Sequence, residues 1–256
     1  MANKTPIYYD DPDFDYRQYW TGREYENLSE KIALEKILET LPEKNRLLDI
    51  GGGFGRLASV YTPIFKNCLL IDPSQKLLNQ AKDFCSKYDN LKLQKGFFEK
   101  LPFNDKQFDT VITVRTFHHL NNPNLAIKEA HRVLKNNGFL ILEFANKNRL
   151  INILRTVIKG NFNFLIETKP VNIGQKKNCL PFLSYHPSQI KTLLYANGFQ
   201  IKKIISVCNF RAHWLKKIIP TKFLLFLDSI IFILNTRLTI LNYLGPSIFI
   251  LAQKTE

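Results

Sequence analysis

Acidic side chains are nearly missing from the last part of this 256-residue chain. Of 22 aspartates and glutamates, only 3 fall in residues 145–256, where 16 lysines and arginines stand; residues 1–100 hold 15 of each sign. The net charge of +14 is therefore local. An excess of this kind draws anionic partners: nucleic acid, a membrane surface or acidic substrates. Cysteine is sparse as well. Cys68, Cys85, Cys179 and Cys208 stand apart with no CxxC spacing. That excludes the common zinc patterns and a disulfide framework, and points to buried thiols in a reducing cytoplasm. Long apolar runs are absent too. The longest uncharged stretch near the C-terminus, residues 238–253, has 16 residues and contains Gly245 and Pro246. A bilayer-spanning helix needs about 20 apolar residues, so no transmembrane segment is expected. The N-terminus is acidic and aromatic without an apolar core segment, and no secretory signal is expected. No internal repeat or low-complexity tract occurs. What is present, 45% hydrophobic and 23% charged residues, can build a sizeable core, and the length fits one large domain with elaborations.

Apolar spacing of Leu28, Ile32, Leu34, Ile37 and Leu38 predicts a helix over residues 24–41, stopped by Pro42. Short apolar runs at residues 46–50, 67–71, 91–94, 108–114 and 139–144 predict strands. Helices are predicted between them at 54–61, 75–86 and 124–134. Strands alternating with helices of this length indicate a doubly wound, parallel α/β sheet covered on both faces. After Phe144 the rhythm breaks. Residues 145–185 read as loop-like with one helical stretch at 150–158; a helix at 187–196 and a strand at 199–207 follow. A second irregular block spans 209–245, and a last strand is expected at 247–251.

The stretch LLDIGGGFGR, residues 47–56, is the most informative. A strand ends, glycines at 51, 53 and 55 turn the chain, and a helix begins. Glycine permits positive φ and close approach of a ligand to backbone N–H groups at a helix N-terminus. Asp72 lies 23 residues after Asp49, at the end of the next strand, where a carboxylate receives two ribose hydroxyls. Two nucleotide readings compete. The dinucleotide fingerprint, started at Gly51-x-Gly53, demands glycine or alanine where Arg56 stands. The glycines instead follow Asp-x-Gly-x-Gly-x-Gly.

At these residues the chain resembles the class I S-adenosylmethionine-dependent methyltransferases, in particular the small-molecule branch of ubiquinone/menaquinone type. GFFEKLPFN at 96–104 with Phe108-Asp109, Phe117-His118-His119-Leu120, and RVLKNNG at 132–138 are similar to further landmarks of that family. Phe97 stands where an acidic residue often contacts the adenine amino group, and Asn137 replaces a common glycine. The resemblance is good over residues 27–144 and looser over 186–208 and 246–253. It implies a Rossmann-like, mostly parallel seven-stranded sheet with an antiparallel last strand, carrying helical cap insertions. It implies S-adenosyl-L-methionine as cofactor, held by Asp49, Gly51, Gly52, Gly53, Gly55, Asp72 and Pro73. Phe97 and Phe98 would wall the adenine, and Arg115 would join the site after the fourth strand. The aromatic N-terminal segment implies a cover, with Arg23 pairing with the cofactor carboxylate and Tyr19 closing the pocket; an aromatic staple fixing the first helix is the alternative. No metal is implied.

Methyl transfer is an in-line displacement with a good leaving group, so alignment in a dry site carries most of the acceleration. A general base matters only for an acceptor protonated at neutral pH. His118 and His119, just beyond the fourth strand, are the catalytic candidates; Tyr185-His186, His213 and Glu143 are weaker ones. Nucleic-acid chemistry is disfavoured. The Asn/Asp-Pro-Pro-Tyr/Phe turn of amino-methylating enzymes is replaced by Val114-Arg115-Thr116-Phe117, and neither Cys179 nor Cys208 has the setting of a cytosine C5 nucleophile. No RNP, KH or zinc-finger pattern is found.

The organisation expected is one methyltransferase domain over 1–256. It has an N-terminal cover at 1–42, a cofactor core at 43–144, and basic, apolar caps at 145–185 and 209–245 overhanging the active site. The first cap carries 7 basic and 1 acidic residue, the second 5 and 1. In the second, Lys222, Ser229 and Thr236 repeat every seven residues with Asp228 and Asn235 beside them, leaving a wide apolar surface. Three uses are open: a buried cap helix; an interfacial segment with Trp214 and Phe223 in the headgroup region and Lys216, Lys217 and Lys222 toward anionic lipid; or the wall of a substrate pocket. The expected activity is methyl transfer to a small or lipid-like, anionic acceptor, in the cytoplasm or peripherally at the membrane. The alternatives are an NAD(P)-dependent oxidoreductase, and a non-catalytic membrane- or RNA-binding module that keeps the fold.

Overall fold

The computed structural model describes residues 8–11, 13, 15–173, 181–234 and 239–255. In chain order these form α1 (Glu24–Glu39), β1 (Arg46–Ile50), α2 (Ala58–Tyr61), β2 (Asn67–Asp72), α3 (Gln75–Phe84), β3 (Leu91–Lys95), β4 (Phe108–Thr113), α4 (Pro123–Val133) and β5 (Leu134–Ala145). Then come α5 (Leu150–Ile158), α6 (Asn163–Ile166), β6 (Val171–Asn172), β7 (Leu183–Ser184), α7 (Pro187–Ala196), β8 (Phe199–Val207), α8 (His213–Ile218), α9 (Thr221–Leu234) and β9 (Ser247–Lys254). Cys179, Asn235 and Thr236 lie outside the described residues.

Seven strands form one sheet in the order β3-β2-β1-β4-β5-β9-β8. β1 to β5 run parallel, and β9 is antiparallel to both β5 and β8. β8 therefore points the same way as β5. The sheet is Rossmann-like, mostly parallel, with an antiparallel last strand, as expected. Every residue of the central strand β4 is buried, because helices cover both faces. Local chemistry fixes the helix starts. Ser74 Oγ accepts from Leu77 N–H at the head of α3, and Asn122 Oδ1 accepts from Leu125 N–H ahead of Pro123 in α4.

Several boundaries differ from the sequence expectation. α2 begins at Ala58, not Phe54, because Gly55 holds a φ of +83° and residues before Ala58 stay in turns. β5 starts at Leu134, and Asn137 takes the tight left-handed turn position, φ +61°, which asparagine tolerates. On α1, Leu28 and Ile32 face outward; the buried face instead runs through Tyr25, Ser29, Ala33 and Ile37 and includes Glu26 and Glu30. The two blocks read as irregular contain α5, α6, the β6–β7 hairpin, α8 and α9. Both leave the sheet at one edge, the carboxyl ends of β5 and β8.

α9 is neither fully buried nor polar on its outer side. Leu224 is buried and Asp228 turns inward, accepting from Tyr25 Oη and Ser29 Oγ at 2.7 Å each. Lys216, expected toward lipid, instead pairs with Glu26 at 2.7 Å and ties α8 to α1. The buried Tyr25 hydroxyl also accepts from Phe210 N–H at 2.9 Å, so one phenol joins α1 to the block after β8. Leaving such a donor unpaired costs about 1–3 kcal/mol. Tyr25→Phe is expected to lower unfolding stability by that amount in urea titrations, without changing the cooperativity of the transition.

Candidate cofactor site

The carboxyl edge of β1, β2 and β4 gathers most of the residues singled out. Past Ile50 the chain turns back, and Gly51 N–H donates to Ile71 carbonyl at 2.8 Å. Gly51 has φ +70°, and a Cβ there would collide with the Thr116 side chain, which leaves that position to glycine. Asp72 ends β2. Its Oδ2 accepts from Gly53 N–H at 2.9 Å and its Oδ1 from Ser74 N–H at 2.8 Å. The two backbone donors aim the carboxylate across the glycine turn while each oxygen keeps lone pairs for further partners. Pro73 follows directly and fixes the approach to α3.

Asp49 lies beneath the turn, buried, with Oδ2 lacking a hydrogen-bond partner. Burial pushes its carboxyl up to about 7, against weaker opposing effects of Tyr61 and Arg56. Burial likewise raises Asp72 to about 6. Gly52 sits over this carboxylate, since a Cβ there would lie 2.7 Å from Asp49 Oδ2.

The loop after β4 supplies the other wall. Arg115 has φ +63°, its N–H donates to Glu143 Oε2 at 2.8 Å, and its guanidinium meets Glu30 Oε1 at 2.6 Å. Arg56, from the end of the glycine turn, meets the other oxygen of Glu30 at 2.6 Å. Glu30 is fully buried; burial alone would raise its carboxyl, but Arg115 and Arg56 outweigh that and hold it below the usual range. Glu143, weighed as a base, is buried and committed to Arg115 N–H and the Ser247 hydroxyl.

The N-terminal segment lies over all of this. Tyr16 packs within 3.9 Å of the space above Gly53, stacks on Tyr19 at 5.7 Å and meets Phe54 edge-on at 6.0 Å. Asp10 Oδ1 accepts from Ser74 Oγ at 2.6 Å and from Lys76 N–H at 3.1 Å, beside Asp72. Trp20 lies on the Arg56 guanidinium at 3.8 Å, and Tyr19 Oη accepts from Arg115 at 3.2 Å. Arg23 stacks on Tyr19 at 4.1 Å, outside this cluster of buried guanidiniums.

The two histidines differ. His119 is engaged at both nitrogens, Nδ1–H donating to the Pro181 carbonyl at 2.8 Å and Nε2 accepting from Tyr9 Oη at 2.9 Å. His118 stacks on Phe182 at 4.0 Å, and its buried Nδ1 has no partner. Burial lowers both, His118 well below the ordinary histidine value, so its ring is neutral at pH 7. Of the adenine-wall candidates, Phe98 is buried in the main core with Ile71 and Leu101, while Phe97 is exposed. His186 caps α7, its Nδ1 accepting from Ser188 N–H, and its Nε2–H donates to the Leu165 carbonyl, a structural role; His213 is exposed. Among the described residues, no group of three or more His, Cys, Asp or Glu side chains could hold a metal ion.

Sequence reasoning missed Glu30, Arg56, Tyr16, Asp10 and Thr116. Two acidic residues four apart, Glu26 and Glu30, on the buried face of α1 were the available signal, because a buried carboxylate requires a cation.

A glycine turn at a strand end, an acidic residue closing the next strand and a seven-stranded sheet with an antiparallel last strand define a class I methyltransferase fold. Residues 48–142 match the methyltransferase-domain family model. The chain is 33% identical over 101 residues to the uncharacterized methyltransferase YcgJ of Bacillus subtilis, covering 39% of this chain and 40% of that protein. It is 33% identical over 165 residues to a ubiquinone biosynthesis O-methyltransferase of Pelagibacter ubique, covering 64% and 65%. The solved structure of a SAM-dependent methyltransferase from Thermotoga maritima superposes with a TM-score of 0.62 at 20% identity, covering 94% of this chain and 95% of the other. The chain spans about half or less of the curated relatives it matches first, from 40% to 52% of their lengths. Residues 48–142 thus carry a methyltransferase domain, and the chain is similar to the class I S-adenosylmethionine-dependent methyltransferases, whose cofactor is S-adenosylmethionine.

Removing one member of a buried ion cluster costs about 3–5 kcal/mol. Glu30→Gln is expected to destabilise by that order at neutral pH. Because the wild-type carboxyl is held low, the gap should close as pH falls into the acid range, read by urea unfolding at several pH values. Asp49 carries the opposite sign. Its raised value makes the wild type lose stability as pH rises toward and through about 7. Asp49→Asn should therefore gain about 2–3 kcal/mol on the wild type between pH 5 and pH 8.

Proposed function

We propose that this chain transfers the methyl group of S-adenosylmethionine to a small, lipophilic acceptor presented from the basic, apolar cap side. The observation that carries this reading is Asp72, aimed across the Gly51–Gly55 turn by the N–H groups of Gly53 and Ser74. A carboxylate so held suits a ribose diol, and the turn leaves room for backbone contact with the rest of the cofactor. S-adenosylmethionine supplies an electrophilic methyl group on a sulfonium centre. The chain's own residues then bind, orient and exclude water. Asp49, Gly51, Gly52, Gly53, Gly55, Asp72 and Pro73 form the bed. Tyr16, Tyr19 and Trp20 form the cover.

Arg115 and Arg56 flank Glu30 beneath Tyr19 and Trp20, and their guanidinium N–H groups are donors suited to an anionic group. We assign the cofactor carboxylate to these donors, with Arg23 stacked on Tyr19 at 4.1 Å beside them. His118, unlike His119, has no hydrogen bond at its ring nitrogens. Its ring is neutral at pH 7 and free to take a proton from a hydroxyl acceptor, although burial makes it a weak base. Phe97, exposed at the end of the β3 edge, is free to close on a bound adenine. The likeness to a ubiquinone biosynthesis O-methyltransferase supports a lipid-soluble acceptor. A cytoplasmic location fits the isolated thiols.

Calorimetry tests the cofactor reading directly. S-adenosylmethionine is expected to bind with a micromolar dissociation constant. Asp72→Ala should weaken it about tenfold or more, one lost charge-assisted contact being worth roughly 1.5–3 kcal/mol, and should also lower the melting temperature, because the Gly53 and Ser74 N–H groups lose their acceptor. Binding of a nicotinamide dinucleotide in its place would reject the proposal.

A further inference from the structure

We infer that the cap forms a docking surface for an anionic lipid bilayer, built from α5–α6 and α8–α9 together. This goes beyond methyl transfer and stands without it. A helix on a soluble protein turns its apolar side inward. α5 does the reverse. Leu150, Ile151, Leu154, Val157 and Ile158 repeat along its outer side, Ile158 being 84% exposed, while Thr156 is buried and Asn152 binds the Lys147 carbonyl. Phe162 and Ile166 continue the exposed apolar surface into α6.

The second block repeats the inversion. On α9 the charged Asp228 points into the molecule, and Phe223, Phe226 and Ile230 point out, three and four residues apart on one stripe. Trp214 and Ile218 of α8 are 64% and 75% exposed. The two blocks meet at one sheet edge. Leu150 N–H donates to Leu244 carbonyl, and Arg211 stands near enough to lower the proton affinity of Arg149.

Charge selects the partner. Arg155, Lys159 and Lys169 flank the first apolar surface and Arg211, Lys217 and Lys222 the second, all exposed. Of the two acidic residues in these blocks, Asp228 is turned inward and only Glu167 is exposed. Apolar side chains ringed by cations, with aromatic residues among them, match an anionic headgroup layer over acyl chains. A second copy of the chain would set this cationic rim against itself. None of the described helices is long and apolar enough to cross a membrane, so the contact is peripheral.

Flotation of the full chain with phosphatidylcholine vesicles, with and without phosphatidylglycerol, tests the inference. Binding is expected only with the anionic lipid, weakening with salt, and accompanied by a blue shift of tryptophan emission as Trp214 leaves water. Lys217→Ala and Lys222→Ala should each weaken partitioning by about fivefold. Phe226→Ser and Ile158→Ser should weaken it further, and all four should keep the wild-type melting temperature because the positions are exposed. Equal binding to neutral vesicles, no binding to either, or a lipid-free dimer that shifts Trp214 emission would each overturn the proposal. Cofactor calorimetry on the same variants is expected unchanged, so a failed docking surface and a failed methyltransferase assignment give different results.

Discussion

Glu30 holds the site together. A carboxylate with no exposure to water requires compensation, and here two guanidiniums from different parts of the chain provide it. Arg56 leaves the end of the glycine turn, Arg115 the loop after β4, and Glu30 the middle of α1. One ion cluster thus locks the first helix, the glycine turn and the β4 loop into a single geometry. The cover rests on the same cluster, with Trp20 on Arg56 and Tyr19 bonded to Arg115. Arg115 also passes the constraint to β5 through Glu143, and from there to β9 through Ser247. The positive φ of Arg115 persists because all these partners fix it at once.

α1 is also the hinge between the two sides of the molecule. Its Tyr25 and Ser29 hold Asp228 of α9, its Glu26 holds Lys216 of α8, and four residues further on Glu30 holds the arginines. The helix that orders the cofactor side therefore orders the cap as well. This explains why its buried face is so polar at the N-terminal end. It carries the contacts of two neighbours, and apolar residues take over only from Ala33 onward.

The sheet and the glycine turn were legible in the sequence because they rest on local rules. Buried parallel strands read as apolar runs, and positions that exclude a Cβ leave glycine behind. Asp72 was legible because strand length and helix length fix its distance from Asp49. The ion cluster was not, since Glu30 meets Arg56 across 26 positions and Arg115 across 85, and nothing local records such pairs. For the same reason Lys216 looked solvent-facing. On α9 the heptad of polar residues was visible, but which side faced inward was set by Tyr25 and Ser29, two hundred residues earlier in outline and only 2.7 Å away in space.

The aromatic segment over the glycine turn has a thermodynamic meaning. Tyr16 occupies the space above Gly53, and Tyr9 and Asp10 close the flanks through His119 and Ser74. Anything that reaches the Gly53 backbone must first displace the chain's own phenol. The apparent affinity of an entering molecule is then its intrinsic affinity reduced by the fraction of time the clasp stands open. A cover of this kind makes the contacts of Tyr16 part of the binding equilibrium of the site.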